Sequence, residues 1–223
     1  MKEKIYFIPG TMCDSRLWVE VWQQLNSTTA SQYQLIHLPI PMENSVEKIV
    51  SALYQVINDD LGNCHNESVY LVGFSLGGYL ASAFCATFPE KVKKLFIAGN
   101  TPCELPEHEL KTRKRIVEWV EKNGYSGLPN KRAADLLHHK NQSNKSIINK
   151  MIVMDNDLGQ KVLLQQLKSA TKRNELFYAL AAMNIPMVFC FGIEDRLLNR
   201  AFFDLSFRDN LSMSYIFTPS LFY

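Results

Sequence analysis

Val69-Tyr70-Leu71-Val72-Gly73-Phe74-Ser75-Leu76-Gly77-Gly78 decides how this chain is read: an apolar run meets a Gly-x-Ser-x-Gly pattern, and a helical run over residues 79–86 follows at once. A serine between the end of a buried strand and the start of a helix is held on a sharp turn, its hydroxyl projecting from the sheet edge. The helix N-terminus beside it favours nearby negative charge. Gly73 and Gly77 permit the close approach, because bulk at either position would hold strand and helix apart. Ser75 therefore reads as a nucleophile. The bare five-residue pattern is common, and the order strand, elbow, helix is what gives it weight.

Working outward, strand-like and helix-like runs alternate through the first hundred residues. Residues 5–8, 33–38, 69–72 and 94–98 read as strands, and 16–25 as a helix with Leu17, Val21 and Leu25 at four-residue spacing. Asn44-Ser45-Val46-Glu47 resembles a capping box, with Asn44 as cap and Glu47 reaching back. The helix it opens carries Val46, Ile49, Val50, Leu53, Val56 and Ile57 along one face. Such alternation predicts an α/β fold, a parallel sheet with helices on both faces. Residues 102–183 carry helical runs (107–122 and 158–169) and no convincing strand, after which 186–191 and 211–217 return as strands. A helical block between two core strands is the plan of a lid.

Composition narrows the function. The 223 residues, 47% hydrophobic, suffice for one substantial core. With 24 basic and 22 acidic side chains, a net +2, there is no stripe of charge for nucleic acid. No apolar run approaches the ~20 residues of a membrane span. After Met1-Lys2-Glu3-Lys4 the apolar run 5–8 is too short for a signal peptide and reads as a first strand. The five cysteines, Cys13, Cys64, Cys85, Cys103 and Cys190, are scattered, without C-x-x-C or a Cys/His pairing. They read as reduced thiols of a cytoplasmic protein with no metal. Residues 102–183 hold 14 Lys/Arg against 9 Asp/Glu, a net +5, while the rest of the chain carries −3. A basic lid would attract an anionic substrate. The plainer reading is a solvated helix surface, since Lys111, Arg113, Lys114 and Arg115 share a helix with Glu118 and Glu121.

A serine hydroxyl needs a base, the base needs an orienting carboxylate, and the tetrahedral intermediate needs two N–H donors. Leu76, following Ser75 at the helix N-terminus, offers one backbone N–H. The second is assigned to Thr11, in the loop after the first strand, where Gly10 lets the backbone approach. The carboxylate is assigned to Asp195, in Phe191-Gly192-Ile193-Glu194-Asp195-Arg196 at the carboxyl end of a core strand. Glu194 competes with it, since only the register of the turn separates the two.

These residues resemble the α/β-hydrolase superfamily, in particular small lidded serine esterases like the pimeloyl-carrier-protein methyl ester esterases. Residues 8–18 look like the oxyanion loop, with Pro9 where family members often carry His. Gly73 to Gly78 match the nucleophile elbow, residues 88–92 the approach to the next strand, and 184–195 the acid-bearing strand and loop. The resemblance implies an α/β-hydrolase fold with core 1–101 and 184–223 and a helical lid over 102–183. It also implies hydrolysis of a carboxylic ester or thioester with no cofactor. The apolar residues of the lid, such as Trp119, Leu128 and Met151, are compatible with an acyl chain, though core packing is their default role.

The family's triad runs Ser, Asp, His, yet no histidine follows Asp195 in this sequence, and the family's Gly-His loop and closing helix are absent. The expectation is a chain that stops early and turns over esters poorly. His37 and His65 lie in a strand and a loop, and His108, His138 and His139 in the lid. His138 or His139 would have to overhang Ser75 to act as base. Two other readings stay open: a lyase or carbon–carbon bond hydrolase on the same scaffold, and a non-catalytic binding protein that keeps the pocket. Without a closing helix, residues 211–217 should form an exposed edge strand, with Leu221, Phe222 and Tyr223 uncovered, and the chain should self-associate.

Overall fold

Short apolar runs become one sheet here because each finds a parallel partner. The computed structural model describes residues 2–29, 32–62, 67–195, 198–199, 202 and 213–218. Strands β1 (Glu3–Ile8), β2 (Tyr33–His37), β3 (Val69–Phe74), β4 (Val92–Ala98), β5 (Met187–Gly192) and β6 (Ser214–Thr218) lie in the order β2-β1-β3-β4-β5-β6. Every pairing is parallel. The chain pairs β2 on one side of β1 and then crosses to place β3 on the other, after which strands are added outward. The winding thus reverses between β1 and β3, and loops leaving their carboxyl ends diverge around a crevice. Ile8 pairs with Gly73, so the two strands end level there.

Both faces of the sheet are covered, as an all-parallel sheet requires. Side chains of β1 alternate between the layers. Phe7 meets Trp18 and Trp22 at ring-centroid distances of 5.2 and 5.6 Å, where a 3-10 turn (Ser15–Trp18) leads into α1 (Val19–Thr29). Tyr6 and Ile8 join the larger core with α2 (Val46–Asp60) and α3 (Leu76–Thr87). Leu76 through Cys85 are all buried, so α3 is apolar on every side, as a helix enclosed by neighbours must be.

Two details of α2 differ from expectation. Its cap is Ser45, not Asn44: the Ser45 backbone is extended (φ −150°, ψ 161°), so the helix starts at Val46, and the Ser45 hydroxyl accepts from Lys48 N–H at 3.3 Å. Glu47 stands in the first turn, where its own backbone N–H and the Ser45 hydroxyl hold its carboxyl below the usual carboxylate range. Val56 is 48% exposed, off the buried stripe of Val46, Ile49, Val50, Leu53 and Ile57.

Between β4 and β5 the chain inserts α4 (Glu107–Asn123), α5 (Asn130–Asp135), a 3-10 turn (His139–Asn141), α6 (Lys145–Ser169) and α7 (Phe177–Ala181). The expected helix over 158–169 is the second half of α6, whose two halves meet at Gly159 (φ 71°, ψ −178°), a backbone state open to glycine. Val120 of α4 packs with Leu163 and Leu167 of α6. Tyr125 O–H donates to the buried Asp155 at 2.6 Å, and Leu128 N–H to the same carboxylate at 2.8 Å. The last helix behaves differently: Phe177 and Leu180 of α7 are fully buried in the main core. Strand β6 spans Ser214–Thr218 where residues 211–217 were expected; Leu211 and residues 219–223, with Leu221, Phe222 and Tyr223, lie outside the described residues. Among the described residues no helix is long and apolar enough to cross a membrane.

Candidate active site

At the end of β3 the backbone turns through Ser75 with φ 51° and ψ −117°. An L-residue held in such a state costs roughly 1–3 kcal/mol and persists only where its surroundings impose it. Here Ser75 N–H donates to Ala98 O at 2.9 Å, and Ser75 O accepts from Gly78 N–H at 2.9 Å and Tyr79 N–H at 3.2 Å. The two elbow glycines are required sterically. A Cβ on Gly73 would lie 2.4 Å from Gly77 O, and one on Gly77 would lie 2.1 Å from Ile8 O and 2.4 Å from Pro9 O. Gly77 therefore seats α3 against the end of β1 as well as on its own strand. From Gly73 to Cys85 every residue is buried except Ser75.

The loop after β1 lies against this serine: a Cβ built on Gly10 would stand 3.3 Å from Ser75 Cβ. Neither Thr11 N–H nor Leu76 N–H has an acceptor among the described residues. The next amide is occupied, since Met12 (φ 54°) donates its N–H to Oε1 of the buried Gln166, 2.9 Å away. The Met12 side chain packs on Val120, Leu163 and Leu167. Arg16 pairs with Asp157 at 2.8 Å, Lys150 pairs with Glu20, and Gln165 Nε2 donates to Pro41 O and Glu43 O. Helix α6 is thereby fastened over the loops that follow β1 and β2. Cys13, in the same loop, is no rival nucleophile, because desolvation and the neighbouring Asp14 charge push its thiol up to about 12. Gln166→Leu should leave the Met12 N–H buried and unpaired, costing about 1–3 kcal/mol. A urea melt reads this loss, and stability equal to wild type would show that the bond does not hold the loop.

On the far side of β4, the turn after β5 carries the acid candidates. Asp195 N–H donates to Gly192 O at 3.1 Å, and Ile193 N–H to Thr218 O at 2.9 Å. Asp195 is half-buried. Glu194 places Oε2 3.4 Å from His138 Nε2 and 3.3 Å from His139 Nδ1. Nδ1 of His138 accepts from Lys140 N–H at 3.4 Å, so both nitrogens of that ring are engaged. His37, at the end of β2, is half-buried, its Nδ1 has no hydrogen-bond partner among the described residues, and burial lowers its pKa.

Residues 56–184, more than half of the chain, match the family model described as alpha/beta hydrolase fold. The chain belongs to the alpha/beta hydrolase fold family. Over 126 residues it is 29% identical to 2-succinyl-6-hydroxy-2,4-cyclohexadiene-1-carboxylate synthase of Enterobacter sp. (strain 638). That stretch is 53% of this chain and 46% of the synthase, so the chain spans about half the length of the curated relative it matches. Among solved structures, a thermophilic esterase from Thermogutta terrifontis superposes with a TM-score of 0.79 at 16% identity, over 98% of this chain and 81% of its own. A hydrolase from Pseudomonas aeruginosa PA01 gives 0.77 at 12%, over 98% and 82%. A bromoperoxidase from Bacillus anthracis gives 0.74 at 16%, over 97% and 83%. At these identities the likeness is one of fold.

In this alpha/beta hydrolase, Ser75, Leu76 and the Gly10-Thr11 loop meet at the carboxyl edge where the winding reverses, and Asp195 leaves the same edge two strands away. Two groups escaped the sequence reading. Gln166 acts on a loop 154 residues earlier, and the His138, His139 and Glu194 grouping joins positions 55 or 56 residues apart. No local pattern announces contacts at such separations.

Proposed function

We propose that this alpha/beta hydrolase is a serine hydrolase acting on a carboxylic ester or thioester, with Ser75 as nucleophile. The observation that carries the reading is the strained backbone of Ser75, accessible in an otherwise buried run. Strain is retained where it positions a reacting group. Attack of Ser75 Oγ on the carbonyl carbon forms a tetrahedral intermediate whose oxyanion lies between Leu76 N–H and Thr11 N–H. Its collapse expels the alcohol or thiol and leaves an acyl-serine for water to cleave. Strands β3 and β5 are separated by β4, so they lie about 9–10 Å apart, a gap that an imidazole between the Ser75 hydroxyl and the Asp195 carboxylate would bridge. Asp195 is preferred to Glu194, whose carboxylate faces His138 and His139. No histidine follows Asp195 in these 223 residues, and proton removal from Ser75 is correspondingly impaired. Turnover of a p-nitrophenyl ester by the chain and by Ser75→Ala, without and with added imidazole, tests this reading.

The insertion over 102–183 acts as the lid in this account, supported by the seating of α6 on the Met12 loop. The thiols of Cys13, Cys85, Cys103 and Cys190, unpaired as disulfides, fit a reducing compartment such as the cytoplasm. A second reading, carbon–carbon bond chemistry or a lyase reaction on the same scaffold, draws on the similarity to the synthase, and substrate trials separate the two. Self-association is also part of the proposal. Strand β6 lies at the sheet edge with Ile216 and Phe217 each 45% exposed, and an apolar edge is a template for a second strand. Phe217→Lys should shift sedimentation toward monomer; a wild-type chain monomeric at all concentrations would end this part of the account.

A further inference from the structure

His138 and His139 stand in the segment between α5 and α6, and Glu194 on the turn after β5. The two imidazole centroids are 4.0 Å apart, and one ligand atom from each of the three residues lies within 4.8 Å of the other two. The separations from Glu194 Oε2, 3.3 Å to His139 Nδ1 and 3.4 Å to His138 Nε2, are long for a charge-assisted hydrogen bond, which closes to about 2.7–2.9 Å. They fit a different geometry. A tetrahedral metal centre with arms of about 2.0–2.1 Å holds neighbouring ligand atoms about 3.3 Å apart, the edge of the tetrahedron. The His138 ring is only 8% exposed, so one ligand is fixed by packing, while His139 and Glu194, at 62% and 61%, leave the outer side open for the ion to enter and for water to complete the shell.

We propose that His138, His139 and Glu194 form a site for a divalent first-row metal ion, held by two imidazole nitrogens and one carboxylate oxygen. Imidazole with carboxylate is a donor set suited to zinc. Binding through Nε2 of His138 puts that ring's proton on Nδ1, so the 3.4 Å contact from Lys140 N–H, at the limit of a hydrogen bond, opens when the ion enters. The bound ion ties the inserted helices to the turn that carries Asp195, one residue beyond Glu194. The proposal does not depend on the Ser75 chemistry.

Isothermal titration of the untagged 223-residue chain with zinc chloride tests the site. One zinc per chain is expected to bind, with affinity lowered at least about tenfold in His139→Gln and in Glu194→Gln and unchanged in the control His108→Gln. His139 and Glu194 are exposed, so their replacement leaves the core untouched, and circular dichroism of each variant verifies the fold. Cobalt(II) should give the visible absorption of a four-coordinate site in wild type and lose it in Glu194→Gln. Absence of zinc binding, or equal binding in wild type and every variant, overturns the proposal.

Discussion

Gly77→Ala is expected to leave little soluble, folded protein. The added methyl would lie 2.1 Å from Ile8 O, 2.6 Å from Ile8 C and 2.4 Å from Pro9 O. These are backbone atoms of β1 and its loop, and unlike the end of a flexible side chain they cannot rotate aside. Relief requires α3 to retreat from the sheet, which opens the packing around Leu76 through Cys85. We expect a loss above about 4 kcal/mol, a large part of the about 5–15 kcal/mol that holds a domain folded. Gly10→Ala is the internal comparison, because its methyl would meet the edge of the Phe74 ring at 3.0 Å and Ser75 Cβ at 3.3 Å, contacts that small shifts relieve. Urea melts followed by circular dichroism rank the two. A Gly77→Ala protein as stable as wild type would mean that strand and helix do not meet at this elbow as described.

The second expected result is catalytic. The 223 residues should turn over p-nitrophenyl acetate several orders of magnitude more slowly than a serine esterase with a complete Ser-His-Asp triad. Loss of a triad member in such enzymes costs roughly 10⁴–10⁶ in rate, and the oxyanion hole and binding supply what remains. His138 is not expected to supply the base, because its Nδ1 accepts from Lys140 N–H and its Nε2 faces Glu194. Robust turnover by wild type, abolished in Ser75→Ala, would show that another group supplies the base; His138→Ala and His139→Ala would then identify or exclude the two rings.

The sheet and the elbow were legible because both rest on local rules. Apolar runs of strand length bounded by glycine and proline mark β1, β3, β4 and β5, and the glycines around Ser75 are forced by sterics within a few residues. The cap of α2 was misplaced by one residue because Asn44 and Ser45 are comparable caps, and only the extended backbone at Ser45 separates them. Gly159 gave no warning of the break in α6, since its left-handed φ is a property of the folded chain and not of its neighbours in sequence. The Gln166 bond to Met12 and the convergence of His138, His139 and Glu194 were invisible for a further reason: they depend on where the insertion settles over the sheet edge. Glu194 and Asp195 could not be ranked from the sequence either, because the register of a turn decides which carboxylate faces the insertion.

The claim that Ser75 is the nucleophile, short of its base, is tested most directly by imidazole rescue. Hydrolysis of p-nitrophenyl acetate is followed for wild type and Ser75→Ala across a series of imidazole concentrations, and the difference between the two proteins removes the reaction of imidazole with the ester in solution. The account predicts a difference near zero without imidazole that rises with imidazole concentration, as the added ring takes the place between Ser75 and Asp195. A difference that stays at zero throughout, or one already at full size without imidazole, would contradict it.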